Sequence, residues 1–185
     1  MVLLESNPVE PNKQYNHFSL NNPFNQSIQS IDAINKNGIL IVFTCNHCPY
    51  AIALWNRIIN DYNKVQSMGF NILAINPNIN PNYPEDSPQK MAELIESLSV
   101  PFEYLIDHDQ QIARDYDAVC TPDFFLLDTQ LKLIYRGAYD DNWKDEANIT
   151  QHYILDIMHE YSKSQSVKAI KKTPSIGCSI KWVQN

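Results

Sequence analysis

Short apolar runs alternate along this chain with stretches in which apolar residues recur every three or four positions. The mainly apolar runs at 39–43, 70–75 and 102–106 have the length and composition of strands. After the first run, Ile52, Trp55, Ile59, Tyr62 and Val65 follow the period of one helical face. This spacing predicts an amphipathic helix from Pro49 to about residues 68–69.

Three further helices are predicted downstream. Ser87 and Pro88 supply an N-cap and a proline at the first helical position of a helix over 88–98. Asp109 is placed to cap a helix that ends near residue 116, and Asp145 to cap a last helix that reaches Tyr161.

The remaining segments predict hairpins and terminal extensions. Residues 21–29 form a polar stretch typical of a turn or short hairpin, and 124–127 can pair with 131–135 across a polar turn. Residues 1–17 are expected to form a loose arm. The C-terminal extension, 162–185, has no clear period, but its apolar residues favour folding back onto the protein.

The predicted order βαβαβαββα is typical of an α/β fold in which a mixed sheet lies between helices. With 185 residues, 44% of them hydrophobic, we expect a single domain over 1–185.

Charge and hydropathy narrow the possible partners and location. The net charge of −7, the pI near 5.1 and the absence of a basic cluster longer than Lys171-Lys172 argue against nucleic acids and acidic membranes as partners. No apolar run approaches the roughly 20 residues that span a bilayer, and the N-terminus does not resemble a signal peptide. We therefore expect a cytoplasmic protein that acts on proteins or small thiols.

The candidate chemistry lies in Cys45-Asn46-His47-Cys48, at the predicted junction between strand and helix. Unpaired N–H groups and the helix dipole favour a thiolate there, and the CxxC spacing suits dithiol exchange. We expect Cys45 to be exposed and ionised near neutral pH, and Cys48 to be more buried. A structural zinc half-site and inert thiols are the alternatives, but Cys120 and Cys178 form no second close pair in sequence. We therefore predict redox chemistry without a bound metal.

Four sequence blocks resemble the thioredoxin-like CxxC branch of the redoxin superfamily, which groups alkyl hydroperoxide reductases with thiol-specific antioxidants. The resemblance covers roughly residues 15–185 and rests on blocks at 43–50, 83–87, 120–125 and 173–182, which read FTCNHCPY, YPEDS, CTPDFF and TPSIGCSIKW. It implies a thioredoxin-like fold with a C-terminal extension.

The same resemblance implies site roles and a function. Cys45 would be the nucleophile and Cys48 the resolving thiol, with a cis proline at Thr121-Pro122 opposite them. The implied activity is thiol:disulfide exchange with protein or small-molecule disulfides, through a redox-active disulfide rather than a bound cofactor, with electrons from an unidentified thiol donor. Thr44 departs from the tryptophan usual in thioredoxins, and the strand before it lacks a buried acid for proton transfer.

Five other residues are considered for a role at the site. His47 can stabilise the Cys45 thiolate, or it can be an exposed histidine with little coupling. Cys120 and Cys178 can form an auxiliary disulfide, Cys178 can relay to Cys48, or both can be buried and unreactive. The acids Glu85-Asp86 are read most simply as loop residues.

Two other functions compete with thiol:disulfide exchange. A peroxiredoxin-like thiol peroxidase would carry proline and threonine or serine at seven and three positions before the reactive cysteine. Cys45 has Gly38 and Val42 there, and Cys48 has Ile41 and Cys45, so the motif is absent. A thioredoxin-fold binding module without catalysis has no physical need for both CxxC and Thr-Pro.

Overall fold

The computed structural model describes residues 2–8, 13–167 and 173–183. The strands are β1 (Leu3–Glu5), β2 (Ser19–Asn21), β3 (Ser27–Gln29), β4 (Gly38–Phe43), β5 (Phe70–Asn76), β6 (Glu103–Ile106), β7 (Cys120–Thr121), β8 (Asp123–Leu127), β9 (Leu133–Gly137) and β10 (Ile176–Ser179). The helices are α1 (Pro49–Ser67), α2 (Pro88–Leu98), α3 (Gln111–Asp115) and α4 (Tyr153–Ser164). Among the described residues, none of the helices is long and apolar enough to cross a membrane.

A seven-stranded mixed sheet forms the centre of the molecule, in the order β3-β2-β6-β5-β4-β8-β9. The apolar runs β4, β5 and β6 pair in parallel, and β8 pairs antiparallel with β4. This arrangement confirms the predicted fold class: a mixed sheet between helices, with a hairpin formed by β8 and β9.

Alternate residues of β4 pack into two apolar clusters on opposite faces of the sheet. Leu40 and Val42 join the cluster that contains residues of α1, α2 and α4, and Ile39 joins the cluster that contains Ala113 of α3. All six residues of β4 are buried, because helices cover both faces. The C-terminal end of this strand is consequently held rigidly.

The packed face of α1 is wider than the predicted one and excludes one predicted residue. Trp55 and Val65 are buried as predicted, and Leu54 and Ile58 are buried with them, but Ile52 is 51% exposed. Two overlapping apolar sets share the helical period in this segment, so periodicity alone could not decide which set faces the core.

The last helix is shorter than predicted. Asp145 does cap a helical turn, but its side chain accepts from Ala147 N–H in a 3-10 turn of three residues, Glu146–Asn148. Asp141 then accepts a hydrogen bond from the N–H of Thr150 and holds the chain in a loop. α4 therefore begins only at Tyr153.

The N-terminal arm is more ordered than predicted within the described residues. Tyr15 is buried and stacks on Tyr116, with ring centroids 4.2 Å apart. β1 pairs with β10 in a second sheet of order β1-β10-β7. The C-terminal extension does fold back, as predicted, and its strand lies between β1 and the segment that carries Thr121. Parts of both predicted extensions, residues 1, 9–12, 168–172 and 184–185, lie outside the described residues.

Candidate active site

The CxxC segment begins where the buried strand β4 ends and α1 starts. Cys48 is the N-cap of α1, and Pro49 occupies the first turn. Proline fits there because a backbone N–H at this position would have no hydrogen-bond partner within the helix. Because β4 lies in the middle of the sheet, its end carries Cys45 into the interior.

Thr121 contacts both cysteines of the pair. Its hydroxyl lies 3.2 Å from the sulfur of Cys45, and its carbonyl oxygen lies 3.0 Å from the sulfur of Cys48, which donates to it when protonated. The peptide bond between Thr121 and Pro122 is cis, as the resemblance implies. The sequence-predicted residues Cys45, Cys48, Thr121 and Pro122 are thus brought together.

A third sulfur completes the cluster. The sulfurs of Cys48 and Cys178 are 2.8 Å apart, although 130 positions separate the two residues in sequence. The four cysteines, all within the described residues, form no disulfide. Cys48 therefore lies between Cys45 on one side and Cys178 on the other.

The expected exposure of Cys45 is wrong. Cys45 and Cys48 are both 0% exposed and Cys178 is 2% exposed. The physical reason is that β10, folding back beside Thr121, covers the CxxC junction together with the first turn of α1. The sequence around the junction between strand and helix carries no information about a strand this far along the chain, so the exposure of Cys45 could not be predicted from it.

The protonation preference within the pair is also the reverse of the expected one. Burial raises the pKa of the Cys45 thiol well above its ordinary value, and its hydrogen bond with Cys48 and the negative charge of Asp86 raise it further. The hydrogen bond from Cys45 lowers the pKa of Cys48 to about 5, against the effect of burial, with help from Cys178 and from the N–H of Ala51. The negative charge of the reduced pair therefore lies on the N-cap, Cys48, where the helix N-terminus favours it.

His47 is held by a buried carboxylate that the sequence interpretation treated as a loop residue. Nδ1 of His47 and Oδ2 of Asp86 form a short hydrogen bond, and Oδ1 of Asp86 accepts from Asn46 N–H at 2.6 Å. Asp86 is 0% exposed, and Asn76 also donates to it at 3.3 Å. The signal that could have found Asp86 is its position in the YPEDS block, one of the four that carry the resemblance.

This contact fixes the orientation of the His47 ring. Asp86 accepts a hydrogen bond from Nδ1–H, and Nε2 is buried without a hydrogen-bond partner among the described residues. The ring of Tyr83 stacks on the imidazole at 5.0 Å between centroids. His47 is therefore an imidazole held in place by Asp86 rather than an exposed histidine.

The donor atoms of Cys45, His47 and Asp86 lie within 4.8 Å of one another. Sulfur, imidazole and carboxylate are donor types that transition metals accept. In this geometry, however, the imidazole and the carboxylate are bonded directly to each other, and a cation would have to replace that hydrogen bond. The arrangement present is that of a thiol beside a hydrogen-bonded acid–base pair.

Cys120 lies on the other face of its strand. In the pairing of β7 with β10, Cys178 is opposite Thr121, and Cys120 is opposite Ser179. Because side chains alternate along a strand, this register directs the Cys120 and Cys178 side chains to opposite faces. The sulfur of Cys120 instead lies 3.8 Å from the carbonyl oxygen of Pro122, and burial raises its pKa. The structure thus replaces the anticipated contact between Cys120 and Cys178 with one between Cys48 and Cys178.

Comparisons with known proteins identify the family of this chain. Residues 11–136, more than half of the chain, match the model of the AhpC/TSA family. The chain belongs to the AhpC/TSA family. None of the curated proteins matches it.

Solved structures place this AhpC/TSA-family chain among thioredoxin-fold proteins. An uncharacterized conserved protein from Geobacillus kaustophilus is 37% identical, with a TM-score of 0.89, and the match covers 100% of this chain and 98% of that one. Peroxidoxin BcpB from Mycobacterium tuberculosis is 11% identical (TM-score 0.66, 83% and 98% covered). A putative thiol:disulfide interchange protein DsbE from Chlorobium tepidum is 15% identical (TM-score 0.62, 84% and 99% covered). The last two show the fold alone, and family membership supports a thioredoxin-like redox role.

Proposed function

We propose that this protein is a thiol:disulfide oxidoreductase in which Cys45 attacks a substrate disulfide and Cys48 resolves the intermediate. The observation that carries the proposal is the position of the Cys48 sulfur. It lies at the helix N-cap, where hydrogen bonds from the Cys45 thiol and from the N–H of Ala51 stabilise its charged form. A central, ionised sulfur of this kind is suited to attack a disulfide formed at its neighbour.

The proposed exchange has two steps. The Cys45 thiolate attacks one sulfur of a protein or small-molecule disulfide, so that a Cys45–substrate bond forms and the substrate disulfide breaks with release of one thiolate. The Cys48 thiolate then attacks the Cys45 sulfur, forms the Cys45–Cys48 disulfide and releases the second substrate thiolate. Two electrons pass to the substrate, and an external thiol donor returns them to the protein.

Cys45 must lose its proton before the first step, and the neighbouring imidazole supports this. The donor atoms of the thiol, the imidazole and the carboxylate lie within 4.8 Å of one another, and Asp86 accepts a hydrogen bond from Nδ1 of His47. We assign them as nucleophile, base and orienting group. Asp86 is a positioning residue in this scheme, and His47 takes the Cys45 proton. This pair supplies the proton acceptor that the strand before CxxC lacks.

The burial of Cys45 adds a requirement for access. With 0% of Cys45 exposed, a substrate disulfide reaches its sulfur only after neighbouring groups move apart. Iodoacetamide should therefore modify Cys45 in the native protein much more slowly than in the protein unfolded in urea at the same pH. Equal rates in the two states would contradict the buried ground state.

The main test is reduction of insulin with dithiothreitol as the electron donor, followed as turbidity. Cys45→Ser should lose the activity to background, because the attacking sulfur is gone. Cys48→Ser should accumulate a mixed disulfide on Cys45. Cys120→Ser is the matched control, a buried cysteine whose side chain lies on the opposite face of β7, and should keep activity within about twofold. Full activity in Cys45→Ser would overturn the assignment.

Peroxide consumption by the same variants separates the competing functions. Membership of the AhpC/TSA family favours a thiol peroxidase. The sequence, however, lacks the peroxidatic motif around both Cys45 and Cys48. Peroxide turnover that survives in Cys48→Ser and is absent in Cys45→Ser, without insulin reduction by the wild type, would establish the peroxidase instead. Inactivity of the wild type in both assays would favour a binding module.

A further inference from the structure

The contact between Cys48 and Cys178 extends the site beyond the CxxC pair. The two sulfurs are 2.8 Å apart, within about 1 Å of the roughly 2.0 Å length of a disulfide bond. Cys48 thus has a potential disulfide partner on each side, Cys45 within CxxC and Cys178 on β10. Only the Cys45 partner is used in the exchange proposed above.

Cys178 is held in this place by backbone structure on both of its sides. β10 pairs with β1 and with β7, and Cys178 lies directly opposite Thr121, the residue that contacts both other sulfurs. Gly177 permits this approach, because a Cβ atom there would lie 2.0 Å from the Thr121 carbonyl oxygen. The side-chain position of Cys178 is therefore coupled to the same residue that positions the CxxC pair.

Buried hydrogen bonds hold the chain that follows β10. The side-chain amide of Gln110, itself buried, donates to the carbonyl oxygen of Lys181 and accepts from Val183 N–H. Asn78 accepts from Lys181 N–H at 2.8 Å. A segment fixed at this many points by buried polar groups presents Cys178 in a defined position.

We propose that Cys178 is a third redox thiol, which takes over the disulfide from Cys45 so that the oxidised protein rests as a Cys48–Cys178 disulfide. This proposal rests on the proposed function, since it begins from the Cys45–Cys48 disulfide. The Cys178 thiolate attacks the Cys48 sulfur, a Cys48–Cys178 bond forms, and the Cys45–Cys48 bond breaks. Cys45 leaves as a thiolate and takes up the proton that Cys178 released. No electrons enter or leave in this step.

The consequence is that attack on the substrate and storage of the disulfide are carried out by different cysteines. Cys45 returns to its reduced state while the two oxidising equivalents remain stored at Cys48 and Cys178, both buried. The thiol donor that regenerates the protein then acts on a Cys45–Cys48 disulfide restored by the reverse exchange. A protein with this relay has two internal disulfide states rather than one.

Peptide mapping tests the relay directly. The reduced full chain is oxidised with one equivalent of diamide, quenched with acid, blocked with N-ethylmaleimide and digested with trypsin below neutral pH. Cys45 and Cys48 remain in one peptide, 37–57, whereas Cys178 is in 173–181 and Cys120 in 115–132. A Cys45–Cys48 disulfide stays within one peptide, and a Cys48–Cys178 disulfide joins two.

The expected major product in the wild type and in Cys120→Ser is the cross-linked pair of peptides, with the bond assigned to Cys48 by fragmentation. Cys178→Ser should give only the internal Cys45–Cys48 disulfide. A wild-type map with the internal disulfide alone and Cys178 fully blocked by maleimide would overturn the relay, and this result does not depend on the folding of a variant.

The failure of the relay is distinguishable from the failure of the proposed function. Insulin reduction with an exclusively internal disulfide leaves the proposed function intact and removes the relay. Loss of both insulin reduction and every intramolecular disulfide would remove both. A cross-link from Cys178 to Cys45 instead of Cys48 would also contradict the proposed order of exchange.

Discussion

At the scale of single residues, the site depends on groups that reach the cysteines from other segments. Thr121 supplies a hydroxyl to Cys45 and a carbonyl oxygen to Cys48, and Asp86 holds His47 beside them. Asp86 acts in two opposing ways. Its charge raises the pKa of the Cys45 thiol, and its hydrogen bond holds the imidazole of His47, the proton acceptor of the proposed exchange.

These two effects predict opposite results for Asp86→Asn. If charge alone mattered, the pKa of Cys45 would fall and reduction of insulin at pH 7 would become faster. We expect the opposite, at least about a tenfold loss at pH 7, because an unoriented His47 is a poorer base. The activity should recover at higher pH, where solvent hydroxide removes the proton.

The measurement is the pH profile of insulin reduction. His47→Ala should shift the profile in the same direction as Asp86→Asn. Glu85→Gln removes the neighbouring but exposed carboxylate and serves as the matched control, with an unchanged profile. A faster Asp86→Asn variant at pH 7 would show that Asp86 only repels the Cys45 thiolate.

At the scale of elements, a short strand decides the environment of the reactive cysteines. β10 has four residues, yet its pairing with β7 buries Cys45 and Cys48 and brings a third thiol to them. The contact is possible because glycine at 177 lets two backbones approach closely.

Gly177→Ala should displace β10 from β7. The added Cβ would overlap the Thr121 carbonyl group, so we expect a loss of roughly 1–3 kcal/mol in the free energy of unfolding and a large drop in the yield of the Cys48–Cys178 cross-link. Urea denaturation and peptide mapping measure the two effects. Leu3→Ala, an exposed position on the neighbouring β1, should change stability by only about 0.5 kcal/mol or less. An unchanged cross-link yield in Gly177→Ala would contradict the role of the strand.

At the scale of the whole molecule, a buried arginine joins the β8–β9 hairpin to the segment between α3 and β7. Arg136 of β9 donates to both carboxylate oxygens of Asp123, the residue after Pro122, and to the carbonyl oxygen of Asp117. The guanidinium also lies over the ring of Phe125, 4.5 Å from its centroid. These contacts connect β8, β9 and the segment after α3.

Arg136→Leu should leave Asp123 as an uncompensated buried charge. Loss of one partner of a buried pair costs about 3–5 kcal/mol, so the midpoint of urea unfolding should fall markedly. Lys90→Ala, which removes the exposed pair with Glu93 on α2, should change stability by about 1 kcal/mol or less. A change of similar size in the two variants would show that burial adds nothing to the Arg136 pair.

The sequence by itself determined what depends on near neighbours. The apolar runs predicted β4, β5 and β6, and the Ser-Pro cap predicted the start of α2. Chain periodicity reports such features because it reflects contacts within a few residues. The meeting of CxxC with Thr-Pro, which are far apart in sequence, was implied by the family resemblance instead.

Only the tertiary structure decided the burial of Cys45, the preference for charge on Cys48, the hydrogen bond between His47 and Asp86, and the contact between Cys48 and Cys178. Each of these depends on the register of β10 against β7 or on a loop that packs against the junction. Such register is set by pairing between segments far apart in sequence, and local patterns carry no information about which segments will meet.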